Sequence, residues 1–240
     1  MLDINKYALP YVITTDFLKN DIFVEQPFIL TKRILDSSRI GLTNGMYASA
    51  MGVGGITIIE CFIVPKSTFM VLELTGQQGD VMKESMAVAR TVAWNLLQPS
   101  DKSSLYKDSK KGTGMGLHIH CPEGGTPKDG PSAGAAITTS IVSCLLKIPV
   151  CNTVAMTGEI DLNGQICQIG GLETKIRGAK KAGVQKILVP RANEHDIHSM
   201  CLNEEDSPFA DGTVTYVIVD TIWDVLGHTF PNSGYDFTQF

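Results

Sequence analysis

From Gly45 onward the apolar positions fall into short runs broken by Gly, Pro and Asn. Met46 to Met51 and Ile56 to Val64 read as strands joined by a turn at Gly52-Val53-Gly54-Gly55, and Phe69 to Leu74 as another strand after Pro65-Lys66-Ser67. Met82, Met86, Ala89, Ala93 and Leu96 then recur at spacings of 4, 3, 4 and 3, one apolar stripe that predicts a helix over 80–97 with Asp80 as its cap. Core packing accounts for its methionines better than a binding groove does. Residues 98 to 113 carry no apolar period and read as a polar loop.

Beyond that loop the pattern changes to alternating strands and helices. Leu117 to Cys121 predicts a strand, 132–147 a helix broken before Pro149, and Val150 to Thr157 a buried strand. Asn163-Gly164 signals a hairpin turn leading into Gln165 to Ile169. Gly170-Gly171 opens a helix over 172–182 that Gly183 closes. Lys186 to Val189 is a strand stopped by Pro190, Asn193 is placed to cap a short helix, and Thr213 to Val219 is the last strand. Asp220 is expected to cap a final helix through Leu226, and residues 231 to 240 read as a loose tail. Residues 1 to 40 have no such pattern beyond a short helix capped by Thr15 or Asp16, and read as a linker or the end of a preceding domain. The prediction is therefore α+β, a mixed α/β single domain over 41–230 with an antiparallel section before residue 115.

Composition narrows the class without changing the fold. A net charge of −5 and the lack of a clustered Lys/Arg face argue against a nucleic-acid partner. No apolar run approaches the roughly 20 residues of a membrane span, and the start carries Asp3 with no apolar leader. Six cysteines form no C-x-x-C pair, and Cys61, Cys144 and Cys167 sit inside apolar runs, so they read as reduced thiols. The expected setting is the cytoplasm or another reducing compartment such as an organelle matrix, not the secretory route.

Candidate chemistry concentrates in residues 122 to 134, Pro-Glu-Gly-Gly-Thr-Pro-Lys-Asp-Gly-Pro-Ser-Ala-Gly, between a strand and a helix. Ser132 falls where this loop becomes a helix N-terminus, whose free N–H groups and positive dipole end favour an anion. A helix-opening serine is ordinarily only a cap. A nucleophile beside oxyanion donors needs the same placement, and then requires a base. Gly130-Pro131-Ser132-Ala133-Gly134 matches the G-x-S-x-G elbow, with His195, His198 and His228 as formal bases. That elbow needs a strand running straight into the serine, and here a long loop intervenes.

The other base is a lysine. Gly170-Gly171-Leu172-Glu173-Thr174-Lys175-Ile176 places Lys175 near the start of a helix with one buried side. A lysine serves as general base only when its pKa falls from about 10.4 to near 7–8, which desolvation and a positive helix end both favour. It also needs a partner to aim it, and Thr157, at a strand end before Gly158-Glu159, is the candidate.

Three motifs in order, Pro127-Lys128-Asp129-Gly130-Pro131-Ser132-Ala133-Gly134, Met156-Thr157-Gly158-Glu159 and Gly170-Gly171-Leu172-x-x-Lys175, resemble the proteolytic domain of the Lon protease family. The likeness covers roughly residues 41 to 220. It extends to Thr75-Gly76, to Gly79-Asp80-Val81-Met82-Lys83-Glu84-Ser85, to His118-x-His120, to Pro122-Glu123-Gly124 and to Pro190-x-x-Asn193. By this resemblance Ser132 is the nucleophile and Lys175 its base, a dyad that does without histidine. Thr157 then matches the threonine that hydrogen-bonds the lysine, and Asp129 an acidic residue that sets the conformation of the serine loop. Glu123, Gly124, Pro131 and Ala133 border the substrate. The resemblance implies unfolded protein substrates, a hexameric homo-oligomer, and an ATPase module acting in cis or in trans.

The chain departs from the family pattern at Glu173, where a basic residue is usual, and at Gln77-Gln78, which replace a small apolar pair. Glu173 is two residues from the base, so on a helix the side chains diverge and little effect is expected. No G-x-x-x-x-G-K-[ST] occurs, and no Gly is followed by Lys, so ATP and Mg belong to the ATPase module and no cofactor is expected in this chain. His118 and His120 share one strand face as a metal pair would, but no second ligand group lies at zinc spacing, so no metal is assigned.

Overall fold

The structure is a computed structural model that describes residues 12–18, 22, 32–111, 114–123, 128–202 and 206–239. The chain divides into two compact units, Met1–Leu30 and Thr31–Phe240. In the first, Thr15–Phe17 (α1) is a single turn, and Thr14 Oγ1 accepts from the Phe17 N–H at 3.1 Å. The capping hydroxyl is thus Thr14, one residue ahead of the predicted Thr15 or Asp16.

In the second unit the chain runs through Arg39–Ile40 (β1), Leu42–Ala48 (β2), Gly54–Val64 (β3), Val71–Thr75 (β4), Asp80–Asn95 (α2), Pro99–Lys111 (α3) and Gly116–His120 (β5). A 3-10 turn, Pro131–Ala133, leads into Gly134–Leu146 (α4), Pro149–Val150 (β6), Val154–Met156 (β7), Glu159–Ile160 (β8), Ile166–Cys167 (β9) and Leu172–Lys181 (α5). Lys186–Pro190 (β10), a turn at Arg191–Asn193, Glu194–Leu202 (α6), Thr215–Val219 (β11) and Ile222–Thr229 (α7) complete it.

Seven of these strands form one sheet in the order β11-β10-β7-β2-β3-β5-β4. β11, β10, β7 and β2 are parallel, and so is the β4–β5 pair. β3 alone runs the other way, pairing antiparallel with β2 and β5. The predicted antiparallel section and the alternating section are therefore one mixed sheet in an α/β fold.

Side-chain alternation along β3 assigns the two faces. Ile59 and Cys61 enter the core beneath α2, α4 and α7, whereas Ile56 joins Leu172, Ile176 and Ala179 of α5 and Ile197 of α6. α4 is apolar or small on every side, so it is buried from Gly134 to Leu145. Its hydroxyls are nevertheless satisfied. Thr138 and Thr139 donate to the carbonyls four residues back, Ser140 Oγ donates to Gly41 O, and the Gly41 N–H donates to Ser143 Oγ.

Several predicted boundaries shift for local reasons. Residues 99–111 are helix α3, not a loop. Pro99 at the first position, Asp101 in the first turn and Lys110 and Lys111 in the last suit a helix, but none of its residues is buried, so no apolar period marks it. The predicted strand from Val150 to Thr157 is split into β6 and β7. Gly79, not Asp80, holds the N-cap position of α2. Thr221, not Asp220, caps α7, in a reciprocal capping box with Asp224. Residues beyond 230 are docked, not loose: Trp223 Nε1 donates to Thr238 O at 3.1 Å, Tyr235 Oη donates to Asp101 Oδ2 at 2.6 Å, and Phe237 stacks on Phe230. All six cysteines are free thiols, with Cys61, Cys121 and Cys144 buried.

α5 crosses β3 at almost no distance. A Cβ on Gly178 would stand 2.1 Å from the Gly54 carbonyl carbon. Gly178→Ala should therefore destabilise the domain by about 1–3 kcal/mol, as overpacking does. Urea unfolding measures this, and an unchanged midpoint would show that α5 can back away from the sheet at no cost.

Candidate active site

The sheet's carboxyl end is where the chain's polar exceptions meet. Thr157 directly follows β7, the turn carrying Ser132 opens α4 on one face, and α5 opens on the other. Lys175 is the fourth residue of α5 and points inward, only 4% exposed. Its Nζ donates to Ser132 Oγ at 3.0 Å and to Thr157 Oγ1 at 3.2 Å. Burial alone lowers the lysine pKa to about 8, because the ammonium form has lost most of its water. Ser132, Thr157 and Lys175, read from sequence as one constellation, are thus in contact.

Thr157 is 1% exposed and sets a direction for the proton. Its hydroxyl donates to Ser132 O at 3.1 Å, so its single proton is committed and only lone pairs face the lysine. A neutral amine has two N–H donors and one lone pair. Since Thr157 can only accept from it, the lone pair is left for the Ser132 hydroxyl. The same serine carbonyl accepts the Gly158 N–H at 2.8 Å, and the Ala135 N–H donates to Gly158 O at 3.0 Å. The serine turn is thereby zipped to the end of β7.

Asp129 fixes the other flank. Its Oδ1 accepts the Met82 N–H at 2.9 Å and the Gly130 N–H at 2.9 Å. Met82 is the third residue of α2, whose own N-cap supplies no side chain. Asp129 therefore caps α2 from the serine loop and places a carboxylate at the positive helix end. Backbone bonds between Gly79 and Lys128 and between Lys128 and Gln77 run alongside, at 2.7 and 3.0 Å. A side chain at position 79 would sit 2.4 Å from the Asp129 carboxyl carbon, which is why glycine stands there.

Over residues 13–231 the chain matches the family described as the Lon protease C-terminal proteolytic domain. It is 38% identical over 236 residues to a Lon protease homolog of Acanthamoeba polyphaga mimivirus, covering 96% of this chain and 22% of that protein. It is 45% identical over 162 residues to the Lon protease of Nitratidesulfovibrio vulgaris, covering 68% of this chain and 19% of that one. The chain belongs to the Lon protease family. It spans about a fifth of these relatives' length. A chloroplastic or mitochondrial Lon homolog of Arabidopsis thaliana is 35% identical over 204 residues, 85% of this chain and 20% of that protein. Among the described residues no helix is long and apolar enough to cross a membrane.

In this Lon domain Pro131 and Ala133 directly flank the serine. Pro131 O accepts the Gly134 N–H, Ala133 is half-buried against the α4-side core, and Glu123 is exposed with φ 69° while its carbonyl accepts Lys128 Nζ at 2.8 Å. Gly124 lies outside the described residues. His118 Nε2 and His120 Nδ1 both partner Thr75 Oγ1, at 2.9 and 2.7 Å, which ties β5 to β4. His195 and His198 are exposed on α6. Glu173 turns to Arg177, which also pairs with Asp206. A cavity of about 650 Å³ beside α5 is lined by Gly170, Glu173, Arg177 and Asp196, on the helix face opposite Lys175. Sequence reasoning passed over the Gly158 backbone and Asn193. The first carries no side-chain signal, and the second was legible as a cap and as part of the Pro190-x-x-Asn193 likeness, with no role in the site.

Two outcomes follow from these contacts. Asp129→Ala should cost about 1 kcal/mol, the loss of one helix cap, with a smaller loss for Asp129→Asn; thermal melts of both variants decide. Lys175→Met should raise stability at pH 7 by up to about 3 kcal/mol, at 1.36 kcal/mol per pKa unit. The folded wild type holds this proton only below about 8 and the unfolded chain up to about 10.5, so wild-type stability climbs and the variant's advantage shrinks across that window. A difference that stays flat from pH 7 to 10.5 would mean that no buried amine titrates there.

Proposed function

We propose that this domain is a serine endopeptidase in which Ser132 attacks the peptide carbonyl and Lys175 is the general base. The observation that supports it is a buried amine of pKa about 8, 3.0 Å from a serine hydroxyl at the head of a helix. In its neutral form Lys175 accepts the Ser132 proton as Oγ bonds to the carbonyl carbon. The resulting ammonium donates that proton to the departing amine as the C–N bond breaks. The amine, neutral again, takes a proton from water, whose oxygen attacks the acyl-enzyme; the proton returns to Ser132 Oγ as the acid leaves.

The tetrahedral oxyanion falls to backbone N–H groups at the head of the serine turn. Gly134 and Ala135 already donate, to Pro131 O and Gly158 O, and Pro131 has no N–H, so the donors come from Ser132 and Ala133. Thr157 aims the lysine, and Asp129 holds the serine loop. Glu123, Gly124, Pro131 and Ala133 border the bound polypeptide. The substrate is unfolded or damaged protein, delivered by an ATPase module with its own ATP and Mg within a hexameric ring. A reducing compartment suits the free thiols.

Degradation of casein by the wild-type chain and by Ser132→Ala, Lys175→Ala and Lys175→Arg tests the reading. All three variants should lose at least a hundredfold in rate while keeping their fold. For the wild type, kcat/KM should rise with pH through a limb centred near 8, because the base acts only after losing its proton. Wild-type turnover no faster than Ser132→Ala would instead make the domain a polypeptide-holding module. Activity surviving in both lysine variants would remove the dyad.

A further inference from the structure

Lys175 can act as described only if α5 starts in one place, and no capping side chain fixes that start. The helix begins after Gly170-Gly171, and Gly171, at φ 67° and ψ 31°, offers no capping side chain. A Gly-Gly entry is the least restrained connection a chain can have. The first helical hydrogen bond runs from the Lys175 N–H to Gly171 O at 3.1 Å, so the base rides directly on this entry.

The restraint comes from Asn193, in the turn between β10 and α6. Its side chain is buried, 1% exposed, and Oδ1 accepts the Ile169 N–H at 3.0 Å while Nδ2 donates to Ile169 O at 2.9 Å. The carboxamide thus bonds both backbone groups of one residue, as a neighbouring strand would, and fixes the peptide planes on either side of Ile169. The second Nδ2 proton goes to Asp196 Oδ2 at 2.7 Å, which holds the amide in the orientation these bonds require. β10 pairs with β7, the strand that Thr157 directly follows, so the frame supporting Asn193 is the one that supports the lysine's partner.

We propose that Asn193 is a positioning residue for catalysis, holding Ile169 so that the Gly170-Gly171 entry to α5 delivers Lys175 to Ser132. This rests on the dyad reading above. A misplacement of about 1 Å between reacting groups lowers rates on the order of a hundredfold, so a backbone clamp one residue ahead of the helix entry matters to turnover. Around the base stand the hydroxyls of Ser132, ahead of α4, and of Thr157, after β7. Glu173 and Arg177 on its own helix are bound to each other, and Arg177 also to Asp206.

The test uses the full chain with casein and compares wild type, Asn193→Ala, Asn193→Asp and Lys175→Ala well below their melting temperatures. Asn193→Asp keeps the shape but sets carboxylate oxygens against Ile169 O and Asp196. Both Asn193 variants should lose tenfold to a hundredfold in kcat with KM within twofold. The acid limb of their pH profile should move above that of the wild type, since a loosened α5 admits water to the amine. A lowered melting temperature with wild-type kcat and an unmoved limb would make Asn193 merely structural and overturn the proposal. Should neither Asn193 variant fold, Asp196→Ala, which removes only the orienting carboxylate, decides. A two- to tenfold loss of kcat with a shifted limb supports the clamp, and wild-type kinetics refute it. If Lys175→Ala keeps wild-type activity the dyad itself fails and this proposal falls with it, whereas an inactive Lys175→Ala beside fully active Asn193 variants rejects the clamp alone.

Discussion

A lysine amine held out of water is the constraint to which the rest of this domain answers. Removing an ammonium from solvent is unfavourable, and the folded chain tolerates it by letting the proton leave more easily, at about 8. That tolerance is useful only while the amine faces a hydroxyl proton and an acceptor for its own N–H groups. Ser132 and Thr157 are those two groups, and they come from different parts of the chain. Every neighbouring element is arranged to bring three backbones within side-chain reach of one another.

The sheet achieves this by orientation. β4, β5, β2, β7 and β10 all point the same way, so their carboxyl ends share one edge of the molecule. From those ends leave the segments carrying Gly79, Asp129 with Ser132, Ala48, Thr157 and Asn193. Open α/β sheets place their ligands at this edge because the connecting loops there are free of the packing that strands and helices must satisfy. α4 and α5 lie on opposite faces yet both start at this edge, which is how Ser132 and Lys175 meet across a sheet. The reversed strand β3 starts there too, and Gly54 at its head gives α5 room to descend.

Much of this was legible in residues 115–230, where strands and helices alternate with Gly and Pro as punctuation. The serine, the lysine and the threonine were legible as motifs, because a Gly/Pro loop before a helix and a Gly-Gly entry before a buried lysine are local patterns. What was not legible depended on long-range pairing. The order of strands in the sheet is set by which faces find cover, so an antiparallel section and a parallel section could not be joined by inspection. α3 escaped notice because a helix that buries no residue need not carry an apolar stripe. Asn193 looked like a cap because caps are what Asn usually provides before a helix. Its actual partner, Ile169, is 24 residues away. Asp220 and Thr221 compete for one cap, and Thr221 wins through its reciprocal bond with Asp224.

Glu173 shows how the same frame keeps an awkward charge harmless. A carboxylate two residues from Lys175 would hold the proton on the lysine if it shared the lysine's pocket. Helical geometry sends it to the outer face, where Arg177, one turn on, donates to it at 2.9 Å and is itself shared with Asp206. Such a surface pair contributes little stability. Its effect here is directional: the carboxylate is occupied on the far side of α5, and burial is left as the sole influence on the Lys175 amine. A basic residue at 173 would reach the same result by repulsion of protons from the region. With Glu173 the chain reaches it by segregation, since helical geometry and the Arg177 pair together keep the carboxylate on the far side of α5 from Lys175.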